Sequence, residues 1–311
     1  LTLNEFLQYV PFVRVFRRAK PDLAGKKNIL FALVIEVLSL LGLYLLLSPA
    51  VAVPLYNFVI FHPLPENQDL GDQIAKMEQV FHCRFEEVVF AAQDGEKLRA
   101  WYFVIPGAKK TLLFSHGNGG CLKHRLALCP LLLQTGCSVF MYDYEGFGDS
   151  TGSASVPKIC QDAVAAYDYL TKARQIAPLD VIAYGESIGA GVSSELSQQR
   201  KLGGIILQSP FTSLPEAGAD KIPYLRLYPQ WSYPTPTLNN LEILRHPHPP
   251  LLLIHGMKDD MLPSRYSQQI FSAAATAKTL VLLPHADHVN IYKTDLHETI
   301  PALNKFIAGM K

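Results

Sequence analysis

Ser187 stands in "YGESIG", between Gly185 and Gly189, where the apolar run "LDVIAYG" gives way to small residues. G-x-S-x-G arises by chance often enough to prove little alone, so its setting decides. A serine hydroxyl is a weak nucleophile until a base takes its proton, and it must project into open space to reach a carbonyl. A tight strand-to-helix turn achieves this by straining the serine backbone. Side chains at the flanking positions would collide with neighbouring backbone, hence the two glycines. The N–H of Ile188, in the first turn of the helix that follows, then points toward an oxyanion forming at Ser187. The competing reading is a tight turn carrying an incidental serine. A base and an orienting acid are also required. "IHGMKDDMLP" offers Asp259 and Asp260, and "LLPHADHVNIY" offers His285 and His288, each after an apolar run. His285, Asp287 and His288 also read as metal ligands, but no second ligand cluster supports that. "HGNGG", residues 116–120, lacks the lysine and serine of a phosphate-cradling loop.

These residues need a scaffold. "FEEVVFAAQDGEKLRAWYFVIP" reads as a hairpin turned at Asp94-Gly95. "TLLFSHG", "CSVFMYDYEGFG", "LDVIAYG", "GGIILQSPF", "PPLLLIHG" and "KTLVLLPHA" read as buried strands. Helical patterns cover Val156–Lys172, Ile188–Gln199 and about Val289–Ala308. Short apolar strands alternating with helices predict an α/β fold: a mostly parallel central sheet covered on both faces, with an antiparallel edge. Ligands of such sheets collect beyond the carboxyl ends of the strands, where the candidate serine, acids and histidines fall. Residues 212–249 interrupt the pattern with a Pro- and aromatic-rich, lid-like insertion containing "IPYLRLYPQWSYPTPTL". Tyr224, Tyr228 and Trp231 there either line an acyl-binding groove or pack the insertion onto the core.

Together, "FSHGNGG", "YDYEGFGDSTG", "YGESIG", "QSPFTS", "IHGMKDDMLP" and "ADHVNIY" resemble the membrane-associated serine hydrolases of the α/β-hydrolase superfamily. The likeness runs to abhydrolase-domain proteins that include protein depalmitoylases, and to prolyl-oligopeptidase-related hydrolases. It covers about Phe85 to the C-terminus and implies the α/β-hydrolase fold. Carried over motif by motif, it implies Asp259 as the acid, with Pro263 in register, and His288 as the base. Asp260 becomes a solvated turn residue, and His285 stands where the pattern prefers glycine. The second oxyanion donor is implied to be the backbone N–H of Asn118. Glu145 stands where Arg or Ser is common in the related loop. That loop reads as the floor of the site, with a substrate role for Tyr144.

A net charge of +1 points to no nucleic-acid partner, and five cysteines without a C-x-x-C pair imply neither a disulfide framework nor a zinc site. Hydropathy is concentrated in "ILFALVIEVLSLLGLYLLL", Ile29–Leu47. Fourteen of its residues are Leu, Ile, Val or Phe, contributing roughly −6 kcal/mol to insertion, against about +3 for Glu36 near its middle. A membrane span is expected; a buried core helix and a cleaved signal peptide are the weaker readings. Arg14, Arg17, Arg18, Lys20, Lys26 and Lys27 precede it, and no Lys or Arg occurs from Ser48 to Gln73. The positive-inside rule therefore places the N-terminus in the cytoplasm and the rest outside it, opposite to the cytosolic depalmitoylases. The expected organisation is a basic segment 1–28, a transmembrane helix 29–48, a linker 49–84 and a catalytic domain 85–311. The expected activity is that of a membrane-anchored serine hydrolase, without cofactor, acting on esters or thioesters of small-molecule, lipid or acylated substrates. A peptidase or acyltransferase with the same triad is the alternative, as is a catalytically silent binding module on this fold.

Overall fold

The computed structural model describes residues 23–64, 69–275 and 277–310. They divide into two compact units, one ending at Ala52 and one beginning at Val53. The first holds helix α1, Leu23–Leu46, which starts before the expected Ile29. Its stretch Asn28–Leu46 is long and apolar enough to cross a membrane, and none of it is buried inside the protein. A core helix would hide its leucines, whereas Leu30, Phe31, Val37 and Leu46 are exposed. Arg14, Arg17, Arg18 and Lys20 lie outside the described residues.

The segment read as a linker, 49–84, is largely built into the second unit. Helix α2 spans Val53–Ile60 and helix α3 Gly71–Phe81. Pro54 looks like a break in the sequence, but in a first helical turn its missing N–H costs nothing. Helix α3 turns Ile74, Met77 and Phe81 toward the core. Between the two helices, Phe61 is buried against Phe147 edge-on at 6.2 Å, and His62–Pro63 pairs in parallel with Gly119–Gly120.

Eight strands form the central sheet: β1 Arg84–Ala91, β2 Lys97–Val104, β3 Thr111–Ser115, β4 Ser138–Tyr142, β5 Val181–Glu186, β6 Gly204–Gln208, β7 Leu251–Gly256 and β8 Lys278–Leu283. Their order is β8-β7-β6-β5-β3-β4-β2-β1. The hairpin β1–β2 turns through Gly95, whose φ of +93° suits glycine, and β2 joins β4 antiparallel. All other pairings are parallel; Leu113 of β3 lies opposite Phe140 on one side and Ala183 on the other. Alternate residues of a strand face opposite sides. Accordingly Leu113, Phe140 and Tyr142 join one core cluster while Leu112, Phe114, Val139 and Met141 join the other. The strand order reverses around β3, which opens a crevice at its carboxyl end.

Five helices complete this scaffold: α4 Cys129–Leu133, α5 Val156–Asp168, α6 Ile188–Gln199, α7 Leu214–Lys221 and α8 Asn240–Leu244. Helices α9, Arg265–Ala273, and α10, Leu296–Ala308, close it. The last helix starts later than the apolar pattern predicts. Asp295 has φ +47°, and its carboxylate accepts the N–H groups of His285 and Ala286, so the chain is still turning there.

Candidate active site

Strand β5 ends at Glu186 and helix α6 begins at Ile188, leaving Ser187 alone at the corner with φ +57° and ψ −116°. That conformation is strained for any residue with a side chain. The flanking glycines have steric causes. A Cβ on Gly185 would fall on the Gly189 carbonyl, and one on Gly189 would fall on the Ser115 carbonyl of β3. The elbow is thus pressed against the central strand, with no room for a methyl group.

The late candidates arrive from the ends of β7 and β8. His288 Nε2 lies 3.0 Å from Ser187 Oγ, and His288 Nδ1 lies 2.7 Å from Asp259 Oδ2. All three residues are buried, with Ser187 and His288 just reaching the surface. The other Asp259 oxygen accepts the N–H groups of Met261 at 2.9 Å and Leu262 at 2.7 Å. Burial pushes this carboxyl up, but hydrogen bonds from His255 and His288 outweigh it and hold Asp259 well below the usual carboxylate range. An ionised Asp259 keeps the imidazole proton on Nδ1, leaving Nε2 to accept the Ser187 hydroxyl proton. Asp260 is exposed, and His285 turns away to Asp295 at 2.7 Å.

Two backbone segments border the serine. The Ile188 N–H, in the first turn of α6, has no intrahelical acceptor. The loop 116–120 passes close by: a Cβ on Gly117 would stand 3.6 Å from that of Ser187. Asn118 is gripped from outside the sheet. Its carbonyl accepts the His62 N–H at 2.9 Å and its side-chain amide donates to the Ile60 carbonyl at 2.7 Å, and neither bond engages its own N–H.

Tyr144, given a substrate role above, is enclosed in the core. It is fully buried, its hydroxyl donates to the His116 carbonyl at 2.8 Å, and its ring lies 4.3 Å from that of His116. It supports the loop from below, because Tyr142 and Tyr144 face the same core. Glu145 is buried beside Lys158, a floor residue. The aromatic residues of the insertion differ in how far they reach solvent. Tyr228 is 8% exposed, Tyr224 40% and Trp231 84%. Tyr228 packs inward with its ring edge-on to that of Tyr224 at 6.3 Å, and Trp231 projects into solvent.

Two positioning groups escaped the sequence reading. Arg125 Nε donates to Glu186 at 3.1 Å and its terminal nitrogen to the Gly119 carbonyl at 3.1 Å, tying the elbow to the loop above it. Glu186 is buried, and a carboxylate at the end of an all-buried strand demands a partner; that was the available signal. His255 Nε2 donates to the Leu262 carbonyl at 2.7 Å and stands 3.2 Å from Asp259 Oδ2, the oxygen that His288 also engages.

An eight-stranded, mostly parallel sheet with a serine at a strand-to-helix elbow, answered by an acid and a histidine from later strand ends, defines an α/β hydrolase. Comparison with known proteins agrees. A family described as serine aminopeptidase, S33, matches residues 106–240. An uncharacterized protein of Mycobacterium tuberculosis is 33% identical over 223 residues, covering 71% of this chain and 78% of its own. The α/β hydrolase domain-containing protein WAV2 of Arabidopsis thaliana is 29% identical over 227 residues, covering 67% and 73%. Among solved structures, an esterase of Pyrococcus furiosus superposes with a TM-score of 0.63 at 21% identity, covering 80% of this chain and 97% of that one. The chain belongs to the α/β-hydrolase family.

Proposed function

We propose that the protein is a membrane-anchored serine hydrolase that cleaves carboxylic esters or thioesters, preferentially of apolar acyl groups. The observation that carries the reading is the continuous hydrogen-bonded line from Ser187 Oγ through His288 to Asp259, at 3.0 and 2.7 Å. In this reading Ser187 attacks the acyl carbonyl while His288 Nε2 takes its proton. The Asn118 and Ile188 N–H groups hold the oxyanion, and His288 returns the proton to the departing oxygen or sulfur. Water, deprotonated by the same imidazole, then releases the acid from Ser187. No cofactor is needed for any of these steps. The apolar helix α1 supplies the anchor, and the charge asymmetry around it sets the N-terminus in the cytoplasm.

The family description favours one rival, a peptidase using the same residues. A panel of p-nitrophenyl esters, acyl thioesters and aminoacyl amides of graded length separates the two. The expected result is turnover of esters and thioesters that rises with acyl length, and a Ser187→Ala rate lower by about 10⁴-fold or more. Cleavage of the amides alone favours the peptidase. An unchanged Ser187→Ala rate removes Ser187 from the chemistry.

A further inference from the structure

The second unit carries an exposed apolar face made by two segments far apart in the chain. Helix α2 exposes Leu55, Phe58 and Val59, with Phe58 78% accessible. The insertion exposes Tyr224 and Trp231. The Tyr56 and Tyr224 hydroxyls lie 3.1 Å apart, so the two segments meet in one surface. Neither Val53–Ile60 nor the run 229–238 around Trp231 contains a charged residue. Apolar side chains grouped with Tyr and Trp, with Arg226 beside Tyr224 the nearby cation, match the polar–apolar boundary of a lipid bilayer. An exposed patch of this kind marks an interaction site.

The chain itself names the occupant. Only Leu47–Ala52 separate helix α1 from α2. Six residues reach at most ~20 Å even when fully extended. Here they are not extended, since the N–H groups of Val51 and Ala52 turn back to the Ser48 carbonyl. A tether this short keeps α2 near whatever surface α1 emerges from. We propose that α2 and the insertion form a single docking face that seats in the headgroup boundary of the bilayer holding α1. This rests on the membrane-anchored reading above. The face is also continuous with the candidate site, because Ile60 and His62, at the end of α2, grip Asn118.

The chain has two tryptophans, and Trp101 is buried, so Trp231 is a built-in probe. The full-length protein and its Trp231→Phe variant are placed in phosphatidylcholine nanodiscs with acyl chains brominated near the headgroup. The difference between their emission spectra isolates Trp231. The same proteins in cell membranes are washed with alkaline carbonate, which reads the anchor separately. Retention after carbonate, with the Trp231 component lost to lipid bromine and insensitive to aqueous iodide, supports the docking face. Retention with Trp231 quenched by iodide and not by bromine overturns docking and leaves the anchor standing. Retention with neither quencher effective means that a protein, such as a second copy of the chain, covers the face, and overturns a lipid occupant. Release by carbonate overturns the anchored reading and the docking face with it.

Discussion

A buried carboxylate under the site contributes a pH dependence to stability. Burial, against the Leu122 N–H bond that opposes it, raises Asp143 to about 7. An unfolded aspartate titrates near 3.9, so between about 4 and about 7 the folded protein holds a proton that the unfolded chain has lost. The stability contributed by this group is complete below about 4 and is lost as pH rises through about 7. His116, 3.5 Å away, does not compensate: burial first, and then the Arg125 charge, lower it to about 3 and keep it neutral. Asp143→Asn retains an oxygen for the Leu122 N–H, at 2.8 Å in the parent. Melting temperatures measured from pH 4 to 7 should therefore fall less steeply in Asp143→Asn than in the parent. Equal slopes would contradict the burial argument. At this same scale Ser187, Asp259 and His288 were legible, because each stands at the end of an apolar run in a spaced motif. The burial of Tyr144 is not legible, because the motif does not say on which side of the sheet its ring falls.

At the scale of elements, the site is a junction between a helix N-terminus, a loop and two late turns, and Arg125 joins the first two. It bridges Glu186, one residue before the serine, to the Gly119 carbonyl in the loop. Arg125→Met leaves the Glu186 carboxylate buried and unpaired, which costs about 3 kcal/mol, while Arg125→Met with Glu186→Gln removes the stranded charge. The double variant should thus be more stable than Arg125→Met alone in denaturant titrations, and both should lose activity through a loosened loop. If the double variant is the less stable, the ion pair is not what joins the elements. This pairing was not legible, since its members lie 61 residues apart and Glu186 fills a variable position of its motif. The parallel strands were legible because each is apolar throughout and bounded by turn residues. Helix α2 was not, because Pro54 reads the same whether it opens a helix or a connector.

For the whole molecule, the catalytic unit is complete without α1, since its sheet and both core clusters lie after Val53. In the proposed reading, α1 bears on where the unit is held rather than on whether it folds. The basic flank predicts that the C-terminal unit lies on the extracytoplasmic side. In sealed vesicles with their cytoplasmic face outward, added trypsin should leave the C-terminal unit intact until detergent is supplied. Digestion of that unit without detergent would reverse the orientation. The sign of the flanking charge was visible in the sequence. The surface where α2 meets the insertion was not, because Tyr56 and Tyr224 come together only in the folded chain.

The central claim is that Ser187 is an activated nucleophile. A fluorophosphonate probe followed by peptide mass spectrometry tests it most directly. The account predicts a single stoichiometric adduct on Ser187, formed rapidly in the parent and lost or strongly slowed in His288→Ala. A folded parent protein that takes up no probe, or carries it on a different serine, would contradict it.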